Sequence, residues 1–312
     1  MIAVDGKFFS LDGERFTVHG VTYGTFAPRD PDGYRFPSRS DLAVDFELIR
    51  DAGFNVVRTY TSVPDDLLGQ AGLSDLRILA GVHWNDWRYL IGSSRRQRAA
   101  VARSALAEVR REAKRLAGHP DVLALSVGNE IPADVVRWVG AEYVSHLIDE
   151  LAHTVHEEDP DRLVTYANYP STEYITASAL DFITYNIYLD RPADLRRYLT
   201  RLHNLVGESP LVIGELGFHA DSGVAGDAAQ ALSLDDHLAV ALERGVAGTC
   251  LFAWTDDWHV GDTQVEGWQF GLTRRDRSSR PALDVARTWN HRTVADLTPS
   301  GGWPSIAVVI CA

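Results

Sequence analysis

Two apolar runs of this chain end on a glutamate. "VLALSVGNE" (122–130) closes on Asn129 and Glu130, and "PLVIGELG" (210–217) carries Glu215 close to its end. A pair of such acids has a specific use. Cleaving a glycosidic bond needs one carboxylic acid to protonate the leaving oxygen and a second carboxylate to attack or support the anomeric carbon. Alone, Glu130 would read as a cap for the helix that starts near Pro132, and Glu215 as an ordinary strand-end acid. Their pairing favours the chemical reading. Other apolar runs end on groups that suit a sugar. "NVVRTY" offers Arg58 and Tyr60, "RILAGVHW" ends on His83 and Trp84, "DFITYNIY" supplies Tyr185, Asn186 and Tyr188, and "AGTCLFAW" ends on Trp254. Aromatic rings give flat faces for sugar C–H groups, while asparagine and arginine donate directed hydrogen bonds. Tyr185 and Tyr188 lie three apart in a strand and so point to opposite faces; only one is expected to line a site directly. His83 reads equally as a packed core histidine or a substrate contact, and Trp84 and Trp87 equally as packing or as site walls. Neither a metal nor a cofactor is expected. A barrel metallohydrolase would offer His-x-His on its first strand, and "VHGVT" has the single His19.

For these side chains to meet, the strands that carry them must end at one rim. Eight short apolar runs occur, at 16–23, 55–60, 77–84, 122–130, 162–168, 181–188, 210–217 and 247–254. Helical patterns lie between them. Residues 40–52 open at Ser40 as N-cap and close at Gly53. Apolar positions three or four apart mark helices over 95–117 and 133–157, with shorter ones at 192–205, 229–244 and 281–290. Runs that are apolar on both faces and alternate with helices indicate a parallel sheet covered by helices. The number of runs predicts a (β/α)₈ TIM barrel, whose active sites lie at the C-terminal ends of the strands. An open doubly wound sheet is the competitor, but no G-x-G-x-x-G follows the first strand. Residues 1–15 read as a β-hairpin turning at Asp12-Gly13, expected to plug the bottom of the barrel.

The chain has 312 residues, 45% hydrophobic and 23% charged, with a net charge of −13. That balance argues against nucleic acid or an anionic membrane as partner. No apolar run approaches the roughly 20 residues that span a bilayer. The first residues lack the basic-then-apolar pattern of a signal peptide, and the only cysteines are Cys250 and Cys311. A cytoplasmic location is expected on these grounds, with a carbohydrate as the partner.

The motifs together resemble a clan A glycoside hydrolase, closest to the barrel domain of family-2 enzymes. "SVGNE" resembles the Asn-Glu acid/base motif ending strand four, and "GELG" the nucleophile motif ending strand seven. "GFNVVRTY" resembles the strand-two motif whose arginine holds the nucleophile, "YNIY" the strand-six motif that serves the sugar, and "FAWTDDW" strand eight, with Trp254 as the platform under the sugar. "FGLTRRDRSSRPAL" resembles the closing segment. The resemblance implies a retaining, double-displacement β-glycoside hydrolase or transglycosylase acting on a β-linked glucan or related oligosaccharide. Glu215 is the implied nucleophile and Glu130 the acid/base. Arg58, Asn129, Tyr185, Asn186, Tyr188 and Trp254 are the implied substrate-binding residues; His83 and Trp84 are added as substrate-binding candidates from the residues alone. No β-sandwich domain of the kind that precedes the barrel in that family is expected within these 312 residues. The alternative is a non-catalytic sugar-binding barrel serving an attached glycosyltransferase. Residues 1–293 form the expected barrel domain and 294–312 a linker with the start of a further strand. "PSIAVVICA" (304–312) resembles the first strand of family-2 glycosyltransferases, which implies a following transferase domain; a tail strand packed on the barrel is the other reading.

Overall fold

The structure is a computed structural model that describes residues 2–28, 34–84, 90–221 and 223–292. The expected linker and strand at 294–312, and Trp87, lie outside the described residues. An antiparallel sheet of β1 (Ile2–Asp5), β2 (Phe8–Leu11) and β3 (Glu14–Phe16) comes first. The expected turn at Asp12-Gly13 is present, with φ of 53° and 89°. Positive φ at both central residues suits the twist of a tight hairpin. A second turn at Gly6 adds one strand more than the sequence suggested.

The eight expected runs form a closed parallel barrel. In chain order its strands are β4 (Val18–Thr22), β5 (Val56–Arg58), β6 (Arg77–Gly81), β7 (Val122–Asn129), β8 (Leu163–Asn168), β9 (Ile183–Asn186), β10 (Leu211–Leu216) and β11 (Gly248–Leu251). Each strand pairs with the next, and β11 closes on β4 with Gly20 opposite Cys250. Strands such as β8 and β10 are buried at every position, as expected for a sheet covered on both sides. At the N-terminal end Phe9 is fully buried and meets Phe182 edge-on at 5.1 Å, among Val18, Val56, Leu79 and Val212. The small sheet therefore covers that end, leaving the opposite rim for chemistry.

The outer layer is α1 (Arg39–Asp51), α2 (Asp65–Leu73), α3 (Arg95–Leu116), α4 (Ala133–Val139), α5 (Ala141–Glu158), α6 (Pro192–Val206), α7 (Val224–Glu243) and α8 (Pro281–Asn290). Helix α1 is capped by Ser38, two residues earlier than expected, through a bond from the Asp41 N–H. A capping box of Ser94 and Gln97 opens α3. The helix expected over 133–157 is broken at Gly140, whose φ of 97° an α-helix cannot contain. Helix α2 has no counterpart in the sequence reading, because Gly69 and Gly72 weaken its propensity. A small hairpin, β12 (His259–Val260) with β13 (Thr263–Gln264), follows β11.

Candidate active site

Arg58 is the last residue of β5 and is 1% exposed. Buried that deeply, a guanidinium needs partners for its N–H groups. It forms an ion pair with Glu215 at 3.1 Å. It also donates to the Gly214 carbonyl at 2.5 Å, to Asn186 Oδ1 at 2.9 Å and to Asn129 Oδ1 at 2.7 Å. A Cβ on Gly214 would fall 2.9 Å from the Arg58 nitrogen and 2.4 Å from Thr184 Cγ2, so glycine is required beside the acid.

Glu215, near the end of β10, is 6% exposed. Its two oxygens are served unequally. Oε1 receives Arg58, the Tyr60 hydroxyl at 2.9 Å and the Asn186 amide at 2.9 Å; Oε2 receives the Tyr188 hydroxyl at 2.6 Å. Burial, together with the nearby Glu215 charge, pushes both tyrosine hydroxyls well above their ordinary range, so both stay protonated donors.

Asn129 and Glu130 are consecutive, and in regular strand they would face opposite sides. Glu130 instead has φ of 44°, which re-aims its side chain onto the rim beside Asn129. The Asn186 amide nitrogen then lies 2.8 Å from Glu130 Oε1 and 2.9 Å from Glu215 Oε1. Those two oxygens are therefore no further apart than the two bonds laid end to end, about 5.7 Å. Burial, then the charge of Glu215, holds the Glu130 carboxyl above the usual range, against the opposing bond from Asn186.

An open cavity of about 800 Å³ lies over the two acids. Of the residues singled out from sequence, His83, Asn129, Glu130, Tyr188 and Glu215 line it, with Arg58 and Asn186 beneath. Three others lie elsewhere. Tyr185 points away from the rim, opposite to its strand neighbour Asn186, and meets Tyr198 edge-on. Trp84 is buried, its indole N–H on the Val127 carbonyl. Trp254 is fully buried rather than facing the cavity. Its indole N–H donates to Asp45 at 3.0 Å, and the same carboxylate takes the Tyr23 hydroxyl and Arg277. Strand β11 stops at Leu251, so alternation does not predict the direction of Trp254.

Besides Tyr60 and Tyr188, the aromatic wall of the cavity comes from residues that the sequence did not single out. Trp258 and Trp268 stack at 5.8 Å and 16°, next to Phe252. Tyr60 stands edge-on to Trp258. Trp258 ends the quoted "FAWTDDW", so a second tryptophan in that motif was the available signal. The β12–β13 hairpin, whose His259, Val260 and Gly261 also line the cavity, is tied to the first barrel loop by the His259 N–H to the Thr25 carbonyl, 2.8 Å, and by Arg35 to the Gly261 carbonyl. Among the described residues no group of three or more His, Cys, Asp or Glu could hold a metal ion, and no helix is long and apolar enough to cross a membrane.

Residues 2–293 match the family model described as glycosyl hydrolases family 2, TIM barrel domain. The chain belongs to this family. Similar solved structures include the β-glucuronidase from Ruminococcus gnavus in complex with D-glucuronic acid, at 19% identity and a TM-score of 0.78, covering 93% of this chain and 52% of that one. The same organism's enzyme in complex with uronic deoxynojirimycin matches at 18% identity and a TM-score of 0.79, with 93% and 52% covered. The chain thus spans about half the length of these structures, and the likeness is one of fold. No curated protein matches the chain.

Proposed function

We propose that this family-2 barrel is catalytic, and that it acts as a retaining β-glycoside hydrolase or transglycosylase on a β-linked glucan or related oligosaccharide. The observation that carries the proposal is the single Asn186 amide bridging Glu130 and Glu215. Its bound of about 5.7 Å on the separation of one oxygen of each acid supports the close pairing of retaining enzymes, whose carboxyl groups lie ~5–5.5 Å apart, over the ~6.5–9.5 Å that inverting enzymes need for a water. In the first step Glu215 attacks the anomeric carbon through Oε2, the oxygen with fewer donors. The bond to the leaving oxygen breaks as Glu130 gives that oxygen its proton. In the second step Glu130 takes a proton from water or an acceptor sugar, whose oxygen attacks the same carbon and releases Glu215. Arg58 pairs with the Glu215 carboxylate, and a raised Glu130 keeps a proton to give.

The test is a panel of nitrophenyl β-glycosides, glucuronides included, and of β-glucans of defined linkage. Products are separated with and without acceptor sugar, and the first-formed anomer is read by NMR. Turnover with a β-anomer formed first, lost in Glu215→Ala, is the expected result. An α-anomer formed first would overturn retention. Saturable binding with no turnover of any member would favour the sugar-binding module.

A further inference from the structure

We propose that Tyr166, with Tyr169 behind it, is a positioning residue that holds Glu130 where it can transfer a proton; the inference rests on Glu130 being the acid/base. Glu130 keeps a φ of 44°, a conformation that residues with side chains seldom hold unaided. The backbone N–H groups of Glu130, Ile131 and Ala133 turn to the end of β8 and the residue after it. The Glu130 N–H donates to the Ala167 carbonyl at 2.8 Å, the Ile131 N–H to the Tyr166 hydroxyl at 2.9 Å, and the Ala133 N–H to the Tyr169 hydroxyl at 2.9 Å. Pro132, between them, has no N–H to give.

The latch is built to be rigid. Tyr166 is 3% exposed and Ile131 fully buried, so water has little access to replace the hydroxyl if it is removed. The Tyr166 ring lies over Gly128, where a Cβ would come within 3.1 Å of it. Burial raises the Tyr166 hydroxyl far above its ordinary range, so it stays neutral whatever the charge on Glu130. Neither tyrosine is hydrogen-bonded to a catalytic carboxylate. Their effect passes through two backbone N–H groups to the direction in which Glu130 points.

Tyr166→Phe removes the acceptor and keeps the ring. The assay compares kcat/KM on the dinitrophenyl and phenyl glycosides of the sugar turned over fastest in the panel, with Glu130→Ala as control. A dinitrophenolate leaves without a proton and a phenolate is helped by one. Misplacing the acid should cost ~10²-fold on the phenyl glycoside, with a change of only a few-fold, at most about 3, on the dinitrophenyl one. Azide, which needs no base to attack, should restore the slowed second step. Tyr169→Phe should show the same pattern more weakly, and it carries the test if Tyr166→Phe does not fold. Equal losses on both glycosides would mean a merely structural role and overturn the proposal. If Glu130→Ala itself shows no such split, the assignment of Glu130 fails first, and the latch with it.

Discussion

Replacing Arg58 by methionine separates the contribution of its charge from that of its volume. The side chain is 1% exposed and faces a carboxylate that is 6% exposed. Methionine fills a similar space but leaves Glu215 without its counter-ion, and leaves Asn129, Asn186 and the Gly214 carbonyl each short of a donor. Breaking one side of a buried ion pair costs about 3–5 kcal/mol. Tyr60, Tyr188 and Asn186 still donate to Glu215, which keeps the cost within that range. With about 2 cal/mol/K of unfolding entropy per residue, a barrel of this size has about 0.6 kcal/mol/K in all, so Tm should fall by about 5–8 °C. The double variant Arg58→Met, Glu215→Gln removes both charges and should recover most of the loss. Thermal melts of wild type, both single variants and the double at pH 7, followed by circular dichroism, give the cycle. A fall below about 2 °C in Arg58→Met, or a double variant no more stable than that single one, would refute the claim that this pair organises the rim.

Glu130→Gln should gain stability on wild type as pH rises. The folded Glu130 carboxyl is raised above its unfolded value near ~4.3, so its contribution is fully present below that pH and is lost as pH climbs through the folded value. Tm curves of the two proteins that run parallel from pH 4 to 7 would contradict this. Glu130→Ala should lose about 10²–10⁴-fold on poor leaving groups, with azide giving a β-glycosyl azide; Glu215→Ala should give the α-azide, and the reverse pairing would swap the two roles. Trp258→Ala should raise KM on oligosaccharides, whereas Trp254→Phe should leave KM alone and cost about 1–3 kcal/mol of stability through the donor lost to Asp45. A KM effect at Trp254 instead would restore it as a platform.

The barrel was legible because its strands are buried on both faces and therefore read as unbroken apolar runs. The two acids were legible because they form a pair at the ends of two such runs, although each alone had a structural reading. Less local features were not. The break at Gly140 and the helix at 65–73 depend on packing that overrides propensity. The direction of Trp254 is set beyond the last paired residue of β11, where alternation no longer applies. Glu130 reaches the rim only through its positive φ, and no periodic pattern encodes that. The tryptophan wall comes from a loop after the last strand, where side-chain direction follows from the fold of the loop itself.

The unequal service of the Glu215 oxygens has a consequence for inhibitor design. Oε1 is already engaged by three donors, while Oε2 is held by Tyr188. A small cationic ring that places its ammonium where the anomeric carbon would sit finds its open acceptor at Oε2. It gains a full charge contact there and disturbs one phenol, leaving the Arg58 network intact. A compound reaching for Oε1 would have to displace a buried arginine. Selectivity against sites that hold the corresponding glutamate symmetrically would then come from which carboxylate oxygen the cation addresses.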